Sequence, residues 1–368
     1  MPSASRRLSI IRALALVGAV ATPALADNGG NDFAIYGDID GVAKTTGTRT
    51  GTSDGFSAAK LDLFTTRAVE RWTFLSEVMF EADSLTNSFG LDVERVEVGY
   101  LFSNWLRVNV GRFHTALGYY NDAYHHGVYF MTAIARPQAI EFEDGGGLIP
   151  AHNVGVHVDG RFPIGDDHIR YDFELANGRS PDQLVIQNQH DDNRPKAVNL
   201  RVRYEPSGLL DGLIVGGNIY FDSISAADPT ATPATTSPVH VGALHEWIVG
   251  AHAAYFEHDF QVIAEALMIQ HDYLDTGARQ RTYTEFAELG HSWGNVTPYV
   301  RYERTRYPSD GDPYFQKVAA DGYDTTSLGV KHTTSENIAL KLQTAVSTSP
   351  AAGSDPVFSI AAQVSFAF

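Results

Sequence analysis

Apolar and polar residues alternate with a period of two through most of the chain that follows residue 30. In His168–Ala176 the odd-numbered positions are apolar or aromatic, whereas Arg170, Asp172 and Glu174 at even-numbered positions are charged. Successive side chains of a strand point to opposite faces, so the pattern predicts strands with one apolar and one wet face. Arg281–His291 alternates poorly, and its facing stays open.

Sixteen such segments follow one another, and each is close to the roughly 9–11 residues that a tilted strand needs to cross a bilayer. We therefore predict an all-β fold, a transmembrane antiparallel β-barrel of about 16 strands, with about 14 or 18 as the alternative counts. The predicted strands are Asp32–Ala43, Ser57–Ala68, Trp72–Ala82, Phe89–Phe102, Trp105–Phe113, His152–Phe162, His168–Ala176, Ala197–Glu205, Leu213–Asp222, Glu246–Phe256, Phe260–His271, Arg281–His291, Val296–Thr305, Tyr323–Thr333, Asn337–Val346 and Pro356–Phe368.

The connections between these strands alternate between short and long. Short turns at one end and long loops at the other are typical of outer-membrane barrels. A half-buried sheet of a soluble sandwich also alternates, but it has no reason to sort its loops by length. The predicted long connections are Lys44–Phe56, His114–Ala151, Asn177–Lys196, Ser223–His245 and Arg306–Gly322.

Aromatic residues fall near the ends of the predicted strands. Amphipathic rings prefer the level of the lipid headgroups, where one edge of the ring is hydrated. As a set, these residues predict two aromatic girdles around a barrel. They include Trp72, Phe102, Trp105, Tyr255, Trp293 and Tyr323.

The first 26 residues have the layout of a secretory signal peptide. Three arginines lie within the first twelve residues, the apolar run Ala13–Val20 follows, and Ala24-Leu25-Ala26 is a small-x-small cleavage site. The apolar run is shorter than the roughly 20 residues of a transmembrane helix, which disfavours the alternative of a membrane anchor. We predict that residues 1–26 are cleaved and that residues 27–368 form a single barrel domain exported to the outer membrane.

The remaining chain is strongly acidic. Segment 1–26 holds three arginines and no acid, so 24 basic and 44 acidic residues remain, a formal net charge of −20. No basic patch suited to nucleic acid is evident. Cysteine is absent, so no disulfides hold this exported chain, and no cofactor is expected.

A sixteen-stranded barrel is too wide for side chains to fill, so an aqueous channel is expected. The wet faces of the strands supply its lining. We predict basic lining residues Arg107, Arg112, Arg161, Arg170, Arg201, Arg203, Arg301, Lys331 and Lys341, and acidic lining residues Glu77, Glu81, Glu97, Asp159, Asp172, Glu174 and Glu303.

Five of these arginines lie on four consecutive predicted strands. They predict a basic stripe along one wall, and such stripes set ion selectivity. The total charge favours cations, whereas the stripe favours anions, so we expect modest selectivity between opposed walls. The stripe consists of Arg107, Arg161, Arg170, Arg201 and Arg203.

The connection His114–Ala151 is the longest, and long loops of this kind are usually functional or disordered. Its many aromatic residues favour packing. We predict that residues 114–151 fold into the barrel and form a constriction. The residues expected at this constriction are Tyr119, Tyr120, His125, His126, Arg136, Glu141, Glu143 and Asp144.

The run VERVEVGYLFSNW (Val93–Trp105), followed by LRVNVGRFHTALGYYN (Leu106–Asn121), resembles outer-membrane porins of the phosphate-selective porin (O/P type) superfamily. In that superfamily a strand ending in Gly-Arg-Phe leads into a long loop. The resemblance implies a sixteen-stranded barrel, an inward-folded loop and often a homotrimer. Few lysines and a strongly negative charge depart from the family pattern, so phosphate selectivity does not transfer to this chain.

Two motifs suggest other chemistry. Gly290–Gly294 matches G-x-S-x-G, but that motif needs a strand-to-helix turn, and here two strands flank it. Several acids and histidines lie near the long loop, yet adjacent histidines point apart and no metal site is predicted. The residues concerned are His114, His125, His126, Glu141, Glu143, Asp144 and His152.

The chain ends in VFSIAAQVSFAF, an alternating strand without a polar tail. Phe366 and Phe368 lie on its apolar face. In proteins that the chain resembles, the terminal aromatic is the signal read by the barrel assembly machinery. Expected partners are this machinery, outer-membrane lipid and lipopolysaccharide, and small ions or solutes.

The leading interpretation is therefore a passive, non-enzymatic porin. An outer-membrane barrel enzyme of the protease or lipase type is one alternative. A barrel whose long loops serve binding or adhesion is the other. Enzymatic barrels tend to have fewer strands, so the strand count separates the first two interpretations.

Overall fold

A computed structural model describes residues 31–46, 55–83, 88–124, 127–141, 147–183, 194–226, 242–315, 322–350 and 354–368. For residues 31–32, 37, 40–46, 55–59, 81–83 and 88–89 it describes the backbone alone. The predicted signal peptide lies outside the described residues, as do the sites His125, His126, Glu143 and Asp144 and the side chain of Glu81.

The first eight strands occupy the N-terminal half of the barrel, and each contains or closely matches a predicted segment. They are β1 (Asn31–Thr46), β2 (Gly55–Val69), β3 (Trp72–Asp83), β4 (Ser88–Ser103), β5 (Leu106–His114), β6 (His152–Ile164), β7 (Asp167–Ala176) and β8 (Ala197–Glu205).

The second eight strands complete the sheet, and the prediction of sixteen strands is confirmed. They are β9 (Leu213–Ile224), β10 (Leu244–Tyr255), β11 (Phe260–Tyr273), β12 (Arg279–His291), β13 (Val296–Arg306), β14 (Tyr323–Thr333), β15 (Ile338–Thr348) and β16 (Val357–Ala367).

Every strand pairs antiparallel with its neighbours in the chain, and β1 pairs with β16 to close the barrel. At this seam the backbone N–H of Ile35 donates to the Phe368 carbonyl (2.7 Å), and the Phe368 N–H donates to the Ile35 carbonyl (2.8 Å). Closure leaves no strand with unpaired backbone groups along an edge, which is the condition for a sheet to stand in lipid.

The connections are sorted by end, with two exceptions. Tight turns such as Glu70–Arg71 and Gly165–Asp166 occupy what we call the short-turn end, together with both termini of the sheet. The long predicted connections lie at the opposite, long-loop end. At the long-loop end only four residues separate β3 from β4 and only five separate β11 from β12, so the alternation of lengths is not strict.

The predicted alternation of faces holds through most of the barrel. In β15, Leu340 and Leu342 are exposed on the outer surface, whereas Lys341 between them is buried in the lumen. The open facing of β12 is now resolved, since Phe286 and Glu288 point inward and Glu285 points outward. An apolar residue inside and a charged residue outside explain why the sequence pattern was weak there.

The aromatic residues at the short-turn end largely follow the predicted girdle. Trp72, Phe102, Trp105 and Trp293 are exposed on the outside. The assignment of Tyr323 to a girdle is wrong, because it shares the inward register of Thr325 and Ser327 in β14. Its side chain bonds Thr305 and Thr284 in the lumen.

Helical structure is limited among the described residues to the single-turn helix α1 (Tyr120–Ala123) and two 3₁₀ turns, Gln138–Ile140 and Gly208–Leu210. No described helix is both long and apolar enough to cross a membrane. Gly111 of β5 has φ of 144°, and a Cβ there would lie 1.9 Å from the Val96 carbonyl oxygen. This position therefore requires glycine, and it precedes the strand end that feeds the long loop.

Candidate functional site

The described residues of the connection 115–151 lie inside the barrel, and its first turn is bound to the inner faces of β7 to β9. The Ala116 N–H donates to Glu174 Oε1 (2.7 Å), and Asn199 Nδ2 donates to the Ala116 carbonyl (2.9 Å). The Gly118 N–H donates to Asn218 Oδ1 (3.1 Å). These inward polar side chains bond loop backbone that would otherwise lose its hydration without replacement.

Helix α1 then crosses to β11. Glu265 Oε1 accepts the backbone N–H groups of Tyr119 (2.8 Å) and Tyr120 (2.5 Å), the donors that a helix start leaves without partners. The Tyr120 ring meets Phe286 edge-on at 5.6 Å, and both rings are buried. Sequence analysis missed Glu265 as the acceptor because the two bonded segments are 146 positions apart.

The loop is next fixed to β13 through an ion pair within the wall. Arg301 Nε donates to Glu303 Oε1 (2.9 Å), and its Nη1 donates to the Ala135 carbonyl (2.6 Å). Glu303 Oε2 accepts the Gln138 N–H at 2.7 Å. Arg136 turns back within the loop, donating Nη2 to Asn121 Oδ1 at 2.9 Å.

The tip of the loop reaches β14 to β16 and the short-turn end. Lys331 Nζ donates to the Tyr129 carbonyl (2.5 Å), and Lys341 Nζ donates to the Val128 carbonyl (2.5 Å). The Tyr129 hydroxyl donates to the Glu336 carbonyl, in the turn between β14 and β15, at 2.8 Å. The two lysines therefore hold loop backbone rather than standing free in the lumen.

The predicted basic stripe occupies adjacent rows of the lumen wall. Arg161, Arg170 and Arg203 are direct cross-strand partners on β6, β7 and β8. Like charges directly opposite one another are destabilising, and Glu205 offsets two of them, lying 2.6 Å from Arg170 Nε and 3.3 Å from Arg161 Nη2. The Arg161 and Arg170 side chains remain 40% and 30% exposed.

The remaining two arginines of the stripe are paired more completely. Arg107 makes a bidentate contact with Asp159, at 2.8 and 2.9 Å. Arg201 is buried and donates Nε to Asp172 (2.9 Å), Nη1 to the Gly118 carbonyl (2.8 Å) and Nη2 to Asp122 (2.7 Å). Arg201 thus joins the wall to the loop.

The other predicted lining residues are placed as follows. Glu77 is buried beside Arg95, at 2.5 Å, and Glu97 is half-buried on the inward face of β4. Arg112 is buried at the end of β5, where its Nε donates to the Glu94 carbonyl at 3.0 Å. Glu94 is the extra residue of a bulge in β4, and Arg112 Nε is therefore engaged by backbone rather than directed into the lumen.

Two carboxyl groups among the described residues of the loop have pKa values shifted from their usual range. Burial by itself raises the pKa of Asp122, but Arg201 and Arg203 lower it more, so the net pKa lies below its usual value. Burial raises the pKa of Glu141, against the opposing effect of Arg136 and Lys60. Asp122 is therefore a fixed negative charge on the loop.

A buried polar network at the long-loop end was not predicted from the sequence. His271 bridges two carboxylates, with Nε2 at 2.9 Å from Glu246 and Nδ1 at 2.8 Å from Asp312. Arg179 donates Nη1 to Glu246 (2.9 Å) and to the Leu148 carbonyl (3.0 Å). The network ties three connections to β10 and β11, and none of its pairings is local in sequence.

Two other chemistries find no support in the described residues. No group of three or more histidines, aspartates or glutamates there is arranged to hold a metal. Ser292 of the G-x-S-x-G match lies in the turn between β12 and β13, and its hydroxyl bonds the Thr297 hydroxyl at 2.8 Å. No helix follows this serine, so the strand-to-helix turn of a nucleophile elbow is missing.

These features define a sixteen-stranded antiparallel barrel with an internal loop, the porin fold. Similar solved structures are OmpT, an outer membrane protein of Vibrio cholerae (13% identity, TM-score 0.59, 93% of this chain and 98% of that chain), and an anion-selective porin from Comamonas acidovorans (11%, 0.63, 93% and 100%). Pseudomonas putida OprB is similar too, with 10% identity and a TM-score of 0.60 over 92% of this chain and 94% of that chain. No protein-family model and no curated protein sequence matches the chain.

Replacing Arg201 with methionine should destabilise the barrel by about 3–5 kcal/mol, because it leaves the buried Asp172 and the partly exposed Asp122 with weaker compensation of their charges. The measurement is the temperature at which the purified protein in detergent loses its folded electrophoretic mobility. Arg170→Met is the matched control, since Arg170 is 30% exposed and contacts one acid. Equal unfolding temperatures for the two variants would contradict this role of Arg201.

Proposed function

We propose that the protein is an outer-membrane porin, a water-filled channel for passive diffusion of small hydrophilic or ionic solutes. The observation that carries this proposal is the internal loop, whose described residues are bonded to inward charged side chains of β7 to β15 inside a closed barrel. A solute crossing the barrel passes this loop, so the loop narrows the channel and sets its conductance. The long-loop end then faces outward from the cell and the short-turn end faces the periplasm.

Selectivity follows from the charges that stay in contact with water. The cross-strand partners Arg161, Arg170 and Arg203 form what we call the arginine row. Within it, Arg161 and Arg170 are more exposed than Glu205, whose side chain is 17% exposed. The acid Glu77 on β3 is buried against Arg95. We therefore expect a modest preference for anions, despite the negative net charge of the whole chain.

The double variant Arg161→Gln/Arg170→Gln should shift the reversal potential in a salt gradient toward cations, since it removes two exposed charges and leaves Glu205 unpaired. The measurement uses purified protein in planar bilayers. Arg67→Gln is the control, because Arg67 lies on the outer face of β2. An unchanged reversal potential would reject the arginine row as the selectivity determinant, and no conductance from folded wild-type protein would reject the porin itself.

Oligomeric state is a separate part of the proposal. The resemblance noted in the sequence implies a homotrimer, and Vibrio cholerae OmpT has a structure in a trimer form. We propose that this chain also assembles as a homotrimer. Its mass in detergent, determined by light scattering, tests that state.

A further inference from the structure

Four arginines form a patch on the outer surface of the barrel at the long-loop end. Arg279 and Arg281 alternate with inward residues in β12, and Arg304 and Arg306 do so in β13. The side chains of Arg279 and Arg304 are 58% and 46% exposed. We call these four residues the outer arginine patch.

The position of the patch is unusual for this surface. Elsewhere the outward faces of the described strands are mainly apolar, and the other exposed outward arginine on a strand, Arg67, lies near the short-turn end of β2. Tyr302 of β13 lies next to the patch on its short-turn side, and Tyr283 of β12 lies within the patch, directly opposite Arg306. The patch therefore stands at the level where an aromatic belt meets lipid headgroups.

Three of the four guanidinium groups are held but not saturated, whereas Arg306 donates its terminal nitrogens to the Thr305 and Tyr323 carbonyls and to Asp324. Arg279 uses Nε on Asp272 (2.5 Å), Arg281 uses Nε on Gln270 (2.8 Å), and Arg304 Nε lies 3.8 Å from Asp324. Within the part of the chain that the structure describes, the terminal nitrogens of these three arginines have no partner. A guanidinium has five N–H donors in a fixed fork that matches phosphate oxygens, so the remaining donors can bind an oxyanion bidentately.

We propose that the outer arginine patch binds the phosphate groups of an outer-leaflet glycolipid, of the lipopolysaccharide class. The patch faces away from the lumen, so a solute in the channel does not reach it, whereas headgroup phosphates lie at its level. A second copy of the chain fits less well as the occupant. Three outward acids, Asp272, Glu285 and Asp324, lie within or beside this same patch. The other outward acid on a described strand, Asp167, lies at the short-turn end of β7 and is bonded to Tyr204 and Ser207, so the described strands offer no second acidic face of several residues.

The inference rests on the proposed outer-membrane location, and lipid binding measured by native mass spectrometry tests it. Delipidated wild-type protein, Arg281→Gln/Arg304→Gln and the control Arg67→Gln are titrated with diphosphorylated lipid A, with the same lipid after dephosphorylation, and with inorganic phosphate. We expect the double variant to bind diphosphorylated lipid A about tenfold more weakly than wild type and the control. Removing the phosphates should weaken binding to wild type about tenfold and leave binding to the double variant unchanged.

Three results would overturn the inference. These are equal binding of the lipid by the double variant, equal binding with and without lipid phosphates, or binding of inorganic phosphate as tight as that of the lipid. A change of oligomeric mass in the double variant without a change in lipid binding would assign the patch to a second copy. Single-channel conductance of the same preparations keeps the two proposals apart, since loss of wild-type conductance would refute the porin and leave the lipid result standing.

Discussion

Deleting residues 120–146 and joining the ends with a short glycine–serine linker should raise single-channel conductance severalfold. The loop passes through the lumen from β11, where Glu265 holds its helix, to β14 and β15, where Lys331 and Lys341 hold its tip. Removing it clears the cross-section of a sixteen-stranded barrel, whose lumen is otherwise wide enough for an aqueous channel. The measurement is the conductance of single channels in a planar bilayer at one salt concentration.

A graded variant separates clearance of the lumen from damage to the barrel. Lys331→Met/Lys341→Met keeps every loop residue but removes the donors to the Tyr129 and Val128 carbonyls. We expect an intermediate conductance with larger current fluctuations, because the tip loses both lysine donors and keeps the weaker Tyr129 bond to Glu336, while helix α1 stays bound to Glu265. A loop deletion that folds and conducts like the wild type would contradict the proposal that this loop is the constriction.

The period-two alternation was sufficient to predict the strands of the sheet, but not which side chains of each strand point into the lumen. In β12 the sequence pattern is weak because Phe286 faces the lumen and Glu285 faces outward, opposite Arg304 in the register of β13. Phe286 is stable inside because the Tyr120 ring of the loop covers it. This contact depends on where the loop lies, which periodicity does not encode.

The same limit applies to the candidate site. Alternation alone placed the arginines of β6 to β8 on one face, since each strand repeats the same inward spacing. Their partners were beyond its reach, because Arg201 bonds Asp122 of the loop, and His271 bonds Asp312 of another connection. Burial raises the pKa of Asp312, but His271 and the hydrogen bonds from Tyr273 and the Tyr314 N–H together lower it more, so the pKa lies below its usual value. Such pairings arise only after the connections fold inward.

The last residue of the chain closes the barrel and also stands on its outer face. Phe368 exchanges two backbone hydrogen bonds with Ile35, and its side chain is 63% exposed. Its ring lies 6.0 Å from that of Phe366, so the strand end presents two neighbouring aromatic rings outward. The backbone bonds do not require an aromatic side chain, whereas the proposed role of Phe368 as an assembly signal does.

Phe368→Asp should therefore lower the amount of protein assembled in the outer membrane severalfold and leave the conductance of assembled channels unchanged. The measurement compares the heat-modifiable, folded fraction in membranes with single-channel recordings. Phe358→Asp is the matched control, because Phe358 lies on the same outward face of β16, is 51% exposed and stands at the other end of the strand. Wild-type assembly of Phe368→Asp would contradict the terminal signal. An equal loss in both variants would attribute the defect to charge on the lipid face, a cost that does not depend on the terminus.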